Sequence, residues 1–269
     1  MQKTCSARGP VRSSPAPRLS FLTTLRLLSG ASFASLVALT AVILCASPVR
    51  VHAAPPPAAP DVALAVVYDT SGSMRAPIKA ADGRLVPKNI IAQRAFGLVI
   101  DRLERFTRPA AAFVTDSIPP VKRLDLSITV FDGSRAVTAV RMAPLDPAAT
   151  RKWLAALPAP DSGTPLGDAM TLAAKSLLAT PAASKHLLVL TDGENTLGST
   201  PLAALTALQK QTQTQNQTVF VHILALDIPP AVFASLQKAG ATLIGAADEK
   251  QLQSQLDFIL ETQILVEAP

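Results

Sequence analysis

The stretch from Val62 to Met74 constrains what this 269-residue chain can fold into more than any other. Leu64, Val66, Val67 and Tyr68 form a short run that is apolar on both faces, the pattern of a strand inside a parallel sheet. The run passes straight into Asp69, Ser71 and Ser73, with Gly72 between the serines. Polar side chains at the carboxyl end of such a strand converge in the crevice where open α/β sheets bind ligands. Carboxylate and hydroxyl oxygens, with no nitrogen or sulfur among them, suit a hard cation such as magnesium. Asp, Ser and Gly are also ordinary turn residues, so this stretch alone reads equally well as a strand and a turn.

Two pieces further along separate these readings. The strand-like run His186 to Leu190 ends in Thr191-Asp192-Gly193, which puts a second carboxylate at the end of a second apolar run. Between the two runs lies Gly163-Thr164-Pro165-Leu166-Gly167-Asp168-Ala169, a threonine followed by a proline-led helix. In isolation Thr164 reads as an N-cap with Pro165 at the first helical position. Together the three pieces, D-x-S-x-S, then G-T-P-L-G-D-A, then L-T-D-G-E-N, resemble the von Willebrand factor type A family and its metal-ion-dependent adhesion site. The resemblance covers about residues 61 to 262 and fits the exported or membrane-anchored bacterial type.

The resemblance implies a metal site built from Asp69, Ser71, Ser73, Thr164 and Asp192. Ser71 and Ser73 would bind the cation directly, Thr164 directly or through water, while Asp69 and Asp192 would hold waters and orient the hydroxyls. The implied cation is Mg2+, with Mn2+ or Ca2+ as substitutes. With so few anionic oxygens on it, the cation would accept an Asp or Glu from a partner protein. The implied activity is therefore cation-dependent protein binding, in adhesion or assembly, and no catalysis. Members of that family can couple metal coordination to movement of the closing helix, and Asp248 to Glu261 is the element that would move here.

Strand and helix patterns alternate over the rest of the chain, which predicts a doubly wound, Rossmann-like, mainly parallel α/β sheet with helices on both faces. Leu124 to Phe131 and Arg135 to Val140 read as a hairpin across Asp132-Gly133, giving one antiparallel edge strand. Asn89 to Phe106 has helical periodicity, Arg75 to Lys88 reads as irregular with a turn at Asp82-Gly83, and Pro109 to Pro120 reads as a loop. Helices are expected over Pro147 to Leu157 and up to Leu178, and from Thr200-Pro201 onward. The Gln/Thr-rich stretch Gln209 to Gln217 reads as a solvated helix end and loop. Thr218 to Leu226 is a buried strand, Pro229 to Lys238 a short helix and Thr242 to Ile244 an edge strand.

Residues 1–53 stand apart. They hold six of the 25 Lys and Arg and none of the 19 Asp and Glu, and they include an apolar run from Leu27 to Ala46. This is an export signal or an N-terminal membrane anchor, with Val51 and Ala53 at the −3 and −1 positions of a cleavage site. Either way it places residues 61–269 in the periplasm, free or held at the inner membrane behind the Pro/Ala-rich linker 54–60. Without the leader, 19 basic residues balance 19 acidic ones, which argues against a nucleic-acid surface. Both cysteines, Cys5 and Cys45, fall in the leader, so the folded part has no disulfide, zinc–thiolate site or cysteine nucleophile.

Two other readings remain open on the residues. Ser71 or Ser73, Asp192 and His222 follow the chain order of an α/β-hydrolase triad, but no G-x-S-x-G elbow is present and His222 lies within an apolar strand. The chain could also be a scaffold that binds through another surface of the fold.

Overall fold

The computed structural model describes residues 60–108, 122–161 and 163–266. The leader, all of the linker but Pro60, the expected loop Pro109 to Pro120, and Ser162 lie outside the described residues. The fold is organised around β1 (Val62–Tyr68), all seven residues of which are buried. It pairs in parallel with β4 (Leu124–Asp132) on one side and β6 (Ser184–Thr191) on the other. The sheet continues from β6 through β7 (Phe220–Leu226) to β8 (Thr242–Ala246), again in parallel. On the far side β5 (Arg135–Pro144) pairs antiparallel with β4, so the six-stranded order is β5-β4-β1-β6-β7-β8. This is the mainly parallel sheet with one antiparallel edge that the sequence predicts. The β5 strand is longer than its apolar pattern indicates, and its register with β4 shifts twice, between Leu126 and Ile128 and between Ile128 and Thr129.

The two faces of β1 differ in size. Leu64, Val66 and Tyr68 face a core that they share with α1 (Lys88–Thr107), α2 (Pro147–Ala155) and α6 (Glu249–Ile259). Ala63, Ala65 and Val67 face α3 (Leu166–Leu178) and α4 (Pro201–Gln215), and small residues of α3, Ala169, Ala173 and Ala174, belong to the same core. Small side chains on both partners bring the α3 backbone close to the sheet. On the other face Tyr68, Phe96 and Trp153 meet edge to face, with centroids 5.6, 6.1 and 6.5 Å apart. Leu64 is fully buried, so Leu64→Ala costs roughly 2–5 kcal/mol through lost transfer energy and an unfilled cavity.

The stretch after β1 is more ordered than its sequence suggests. A short 3-10 turn (Gly72–Arg75) is followed by a two-stranded hairpin, β2 (Pro77–Lys79) and β3 (Leu85–Pro87). The Asp82 carboxylate accepts a hydrogen bond from the Arg84 amide at 3.0 Å, and Gly83 takes φ +87°, a backbone that L side chains resist. Helix α1 then begins at Lys88, one residue before the predicted start. Helix α4 runs to Gln215, so the Gln/Thr-rich stretch is mostly helix. Asn216 ends it in the left-handed conformation at φ 50°. After β7 a 3-10 turn leads into the short α5 (Ala234–Lys238), and α6 continues into a π-helical turn, Leu260–Ile264. Among the described residues no helix is long and apolar enough to cross a membrane.

Candidate metal centre

Strand order fixes where a site can form. The chain leaves β1 for β4 on one side and later returns to β6 on the other, so the topological switch lies between β1 and β6. Tyr68 pairs with Leu190, and therefore Asp69 and Asp192 emerge side by side at the carboxyl ends of adjacent strands. Met74, fully buried, anchors the serine turn, and its amide donates to the Ser71 carbonyl at 3.1 Å.

The side chains of this crevice form a connected chain of hydrogen bonds. Asp69 Oδ1 accepts from the Ser71 amide at 2.8 Å, and Asp69 Oδ2 accepts from the Thr191 hydroxyl at 2.5 Å. The Ser73 hydroxyl donates to Asp192 Oδ1 at 2.7 Å, and the Ser71 and Ser73 oxygens are 2.9 Å apart. A serine hydroxyl has one hydrogen, and Ser73 gives it to Asp192, so Ser71 is the donor in the serine pair. The Thr70 hydroxyl bonds both the carbonyl and the amide of Phe131, which ties this loop to β4.

Asp69, Ser71, Thr164 and Asp192 are buried, whereas Ser73 is exposed and opens the site to solvent. Burial pushes the Asp69 carboxyl up, hydrogen bonds from Ser71 and Thr191 pull it down, and the nearby Asp192 charge adds to the upward shift; the net direction is upward. A pocket that holds two carboxylates this deep favours the approach of a cation.

Asp192 already has one cationic neighbour that the sequence reading missed. Its Oδ2 accepts from Lys88 Nζ at 3.1 Å, and the same ammonium lies 3.1 Å from Asp227 Oδ2, just beyond β7. Burial works to lower the Lys88 pKa, but the hydrogen bonds to Asp227 and Asp192 and their charges outweigh it, so the net shift is upward. A signal was present in the sequence. Lys88 opens helix α1, where the helix dipole disfavours a cation, so a lysine there implies a specific anionic partner. Thr191 was also missed, although it stands directly before Asp192 in a strand of apolar residues.

Thr164 differs from its expected capping role. Pro165, not Thr164, occupies the N-cap position of α3, and no side chain of that residue caps the helix. The Gly167 amide is satisfied instead by the Asn195 side chain at 3.1 Å. Thr164 is held by its backbone, its amide donating to the Thr196 hydroxyl at 2.8 Å and its carbonyl accepting from the Thr196 amide at 3.0 Å. That frees its hydroxyl for the crevice. A Cβ on Gly193 would lie 3.5 Å from Ser73 Oγ and 3.6 Å from Thr164 Oγ1, so both hydroxyls border the space that this glycine leaves. Gly167 is required for a different reason: a Cβ there would lie 2.0 Å from the Ser199 carbonyl oxygen. Asp168 stays structural, its Oδ1 accepting from the Ser199 amide at 3.1 Å.

The five residues Asp69, Ser71, Ser73, Thr164 and Asp192 thus border one crevice and present only oxygen. Among the described residues no group of three or more His, Cys, Asp or Glu side chains could hold a metal. A cation here would depend on hydroxyls, a donor set that fits a hard divalent ion. The hydrolase arrangement does not assemble. His222 is buried inside β7 and its Nε2 lies 3.1 Å from His186 Nδ1, so it is engaged away from Asp192 and the serines.

No protein-family model matches the chain, and a search of curated proteins finds no relative. Solved structures do share its fold. The PilB minor pilin from Streptococcus sanguinis aligns with TM-score 0.55 at 15% identity, over 77% of this chain and 62% of the pilin. Proximal thread matrix protein 1 from the mussel byssus, in a structure with a zinc-occupied MIDAS motif, aligns with TM-score 0.55 at 15% identity, over 75% of this chain and 45% of that one. The vWF domain of the type V pili tip protein Mfa5 from Porphyromonas gingivalis aligns with TM-score 0.53 at 12% identity, over 75% of this chain and 94% of that domain. The chain therefore spans less than two thirds of the pilin and under half of the byssus protein. Sheet order, helix placement and these three alignments agree that the described domain has the von Willebrand factor type A fold.

Proposed function

We propose that this chain is a divalent-cation-dependent protein-binding module that accepts an acidic side chain of a partner. The observation that carries the reading is the contact of Ser73 Oγ with Asp192 Oδ1 at 2.7 Å, which joins two motifs 119 residues apart at the switch point of the sheet. Ser71, Ser73 and Thr164 supply neutral hydroxyls to Mg2+, or to Mn2+ or Ca2+, while Asp69 and Asp192 hold the hydroxyls and bound water in place. A bound ion would supply a Lewis-acidic position at the rim beside exposed Ser73, open to a carboxylate oxygen of another protein. Asp69 keeps the serine turn in shape through the Ser71 amide, and Thr191 fixes the rotation of the Asp69 carboxylate.

The zinc-occupied MIDAS of the byssus neighbour supports a divalent metal in a fold of this kind. The pilin and the pili tip protein support an exported chain that works by engaging other proteins. The basic, apolar leader supports the same placement, in the periplasm or at the inner membrane facing it. His186 and His222 are engaged with each other and not with the serines, which supports a binding role over catalysis.

The test is a magnesium and manganese titration read by thermal shift, on the wild type and the Ser71→Ala, Ser73→Ala variant, with a generic esterase and phosphatase screen beside it. Metal-linked stabilisation that disappears in the variant, without turnover, supports the module. Turnover that survives chelation rejects it.

A further inference from the structure

The crevice contains a cation of its own, and its position relative to Asp192 has a consequence for metal binding. Asp192 divides its two oxygens. Oδ1 faces the serine hydroxyls through Ser73, and Oδ2 faces the Lys88 ammonium. The Asp192 side chain is fully buried and that of Lys88 is 8% exposed, so water screens this pair little. Asp227, half exposed, holds the ammonium from its other side at 3.1 Å and does so from a left-handed backbone, φ 53°. Asparagine and aspartate tolerate that conformation best among residues with a Cβ. Two strand ends thus converge on one lysine placed at the helix terminus least favourable to it.

We propose that Lys88 is a built-in counter-charge that lowers the affinity of the crevice for a divalent cation alone, making cation binding depend on the partner's carboxylate. This rests on the metal reading of the site. Without metal, the ammonium compensates a carboxylate that would otherwise be buried unpaired, so the crevice keeps its shape. With a divalent ion against the hydroxyls, the same ammonium is a like charge in a poorly screened pocket and opposes it. An incoming carboxylate removes that opposition by adding negative charge at the rim. Lys88 is accordingly a positioning and tuning residue that acts through Asp192.

The test uses the full chain and Mn2+ alone as the probe, followed by calorimetry and thermal melts, then repeated with acetate as a minimal carboxylate. Lys88→Met should melt earlier without metal, bind Mn2+ about tenfold more tightly and show a larger Mn2+-induced rise in Tm. Lys88→Arg keeps the charge and should bind within about threefold of wild type. Asp227→Asn leaves the ammonium on Asp192 alone and removes a negative charge, so it should bind Mn2+ a few-fold more weakly. Acetate should tighten Mn2+ binding more in wild type than in Lys88→Met. Equal or weaker Mn2+ binding by Lys88→Met overturns the proposal. Should that variant not fold, unchanged or tighter binding by Asp227→Asn overturns it. Wild-type binding that disappears in the Ser71→Ala, Ser73→Ala variant while Lys88→Met gains nothing leaves the metal reading standing and sinks only the role of Lys88. No Mn2+ binding by any variant sinks both.

Discussion

The two ends of β6 and β7 solve the burial of ionisable side chains in opposite ways. At the carboxyl ends, Asp192 and Asp227 converge on Lys88 and the pocket keeps its charges. Further back along the same strands, His186 and His222 stack with centroids 5.4 Å apart and share a hydrogen bond at 3.1 Å. Ser184 Oγ lies 2.7 Å from His186 Nε2, Phe220 stacks on the outer side, and His222 Nδ1 has no partner. Burial holds both rings down to about 4, the neighbouring His222 adding to the effect on His186. One end retains charge because a counter-ion is supplied; the other stays neutral because none is. Ligands should therefore shift stability through the first end, and acid through the second.

The comparison can be broken most forcefully at Asp192. Asp192→Ala strips Lys88 of its buried partner and should cost about 3–5 kcal/mol in urea unfolding, together with all metal-linked stabilisation. A loss no larger than that of a surface substitution would mean that the ammonium does not depend on this carboxylate.

Acid probes the other end. The folded-state values of about 4 lie below the ordinary 6.5, so between these limits the unfolded chain binds more protons than the folded one. The contribution to stability is complete above about pH 6.5 and falls as pH drops towards 4. The loss is on the order of 3 kcal/mol per ring, less whatever the coupling of the pair removes. Unfolding measured from pH 7 to 4 should show this slope, and the His186→Leu, His222→Leu variant should flatten it. An unchanged slope would remove the histidines from the account.

Two smaller changes sharpen the first end. Thr191→Val keeps the shape of the side chain but leaves Asp69 Oδ2 without its donor, and should cost about 1–3 kcal/mol in chemical denaturation. Ser73→Ala removes a hydroxyl at the solvent rim and should lower metal-free stability by about 1 kcal/mol, while it abolishes the Mg2+-dependent rise in Tm. A variant that keeps its full metal response would show that Ser73 is no part of the metal's shell.

The contrast also explains what the sequence could and could not say. Asp69 and Asp192 were legible because each closes an apolar strand, and strand ends on a parallel sheet share one edge. The β4–β5 hairpin was legible because Asp132-Gly133 is a strong turn signal. The identity of the partners of Lys88 was not, because the pairing with Asp192 spans 104 residues and forms only where the start of α1 meets the ends of β6 and β7. The β2–β3 hairpin escaped because its three-residue strands carry no periodicity; part of its support is distant, the Ala81 amide donating to Glu249 at 2.8 Å. Helix α4 extends past its expected end because glutamine and lysine are good helix formers and Asn216 supplies the left-handed cap only after Gln215; Thr212 and Thr214 satisfy their hydroxyls on the carbonyls of Gln209 and Lys210. Thr164 looked like a cap because the acceptor that replaces it, Asn195 Oδ1, comes from a loop that closes over the helix start only in the fold.

The irregular outer strand β5 bears on how copies of this molecule meet. Its register slips twice against β4, Arg135 and Arg141 project from it, and Pro144 at its end has no amide hydrogen to offer. The opposite border, β8, is five residues long. Borders built this way resist the lateral stacking by which sheets of neighbouring molecules fuse into fibrils. A protein with such margins can be crowded without sticking to itself sheet to sheet, which leaves its loops to decide what it touches.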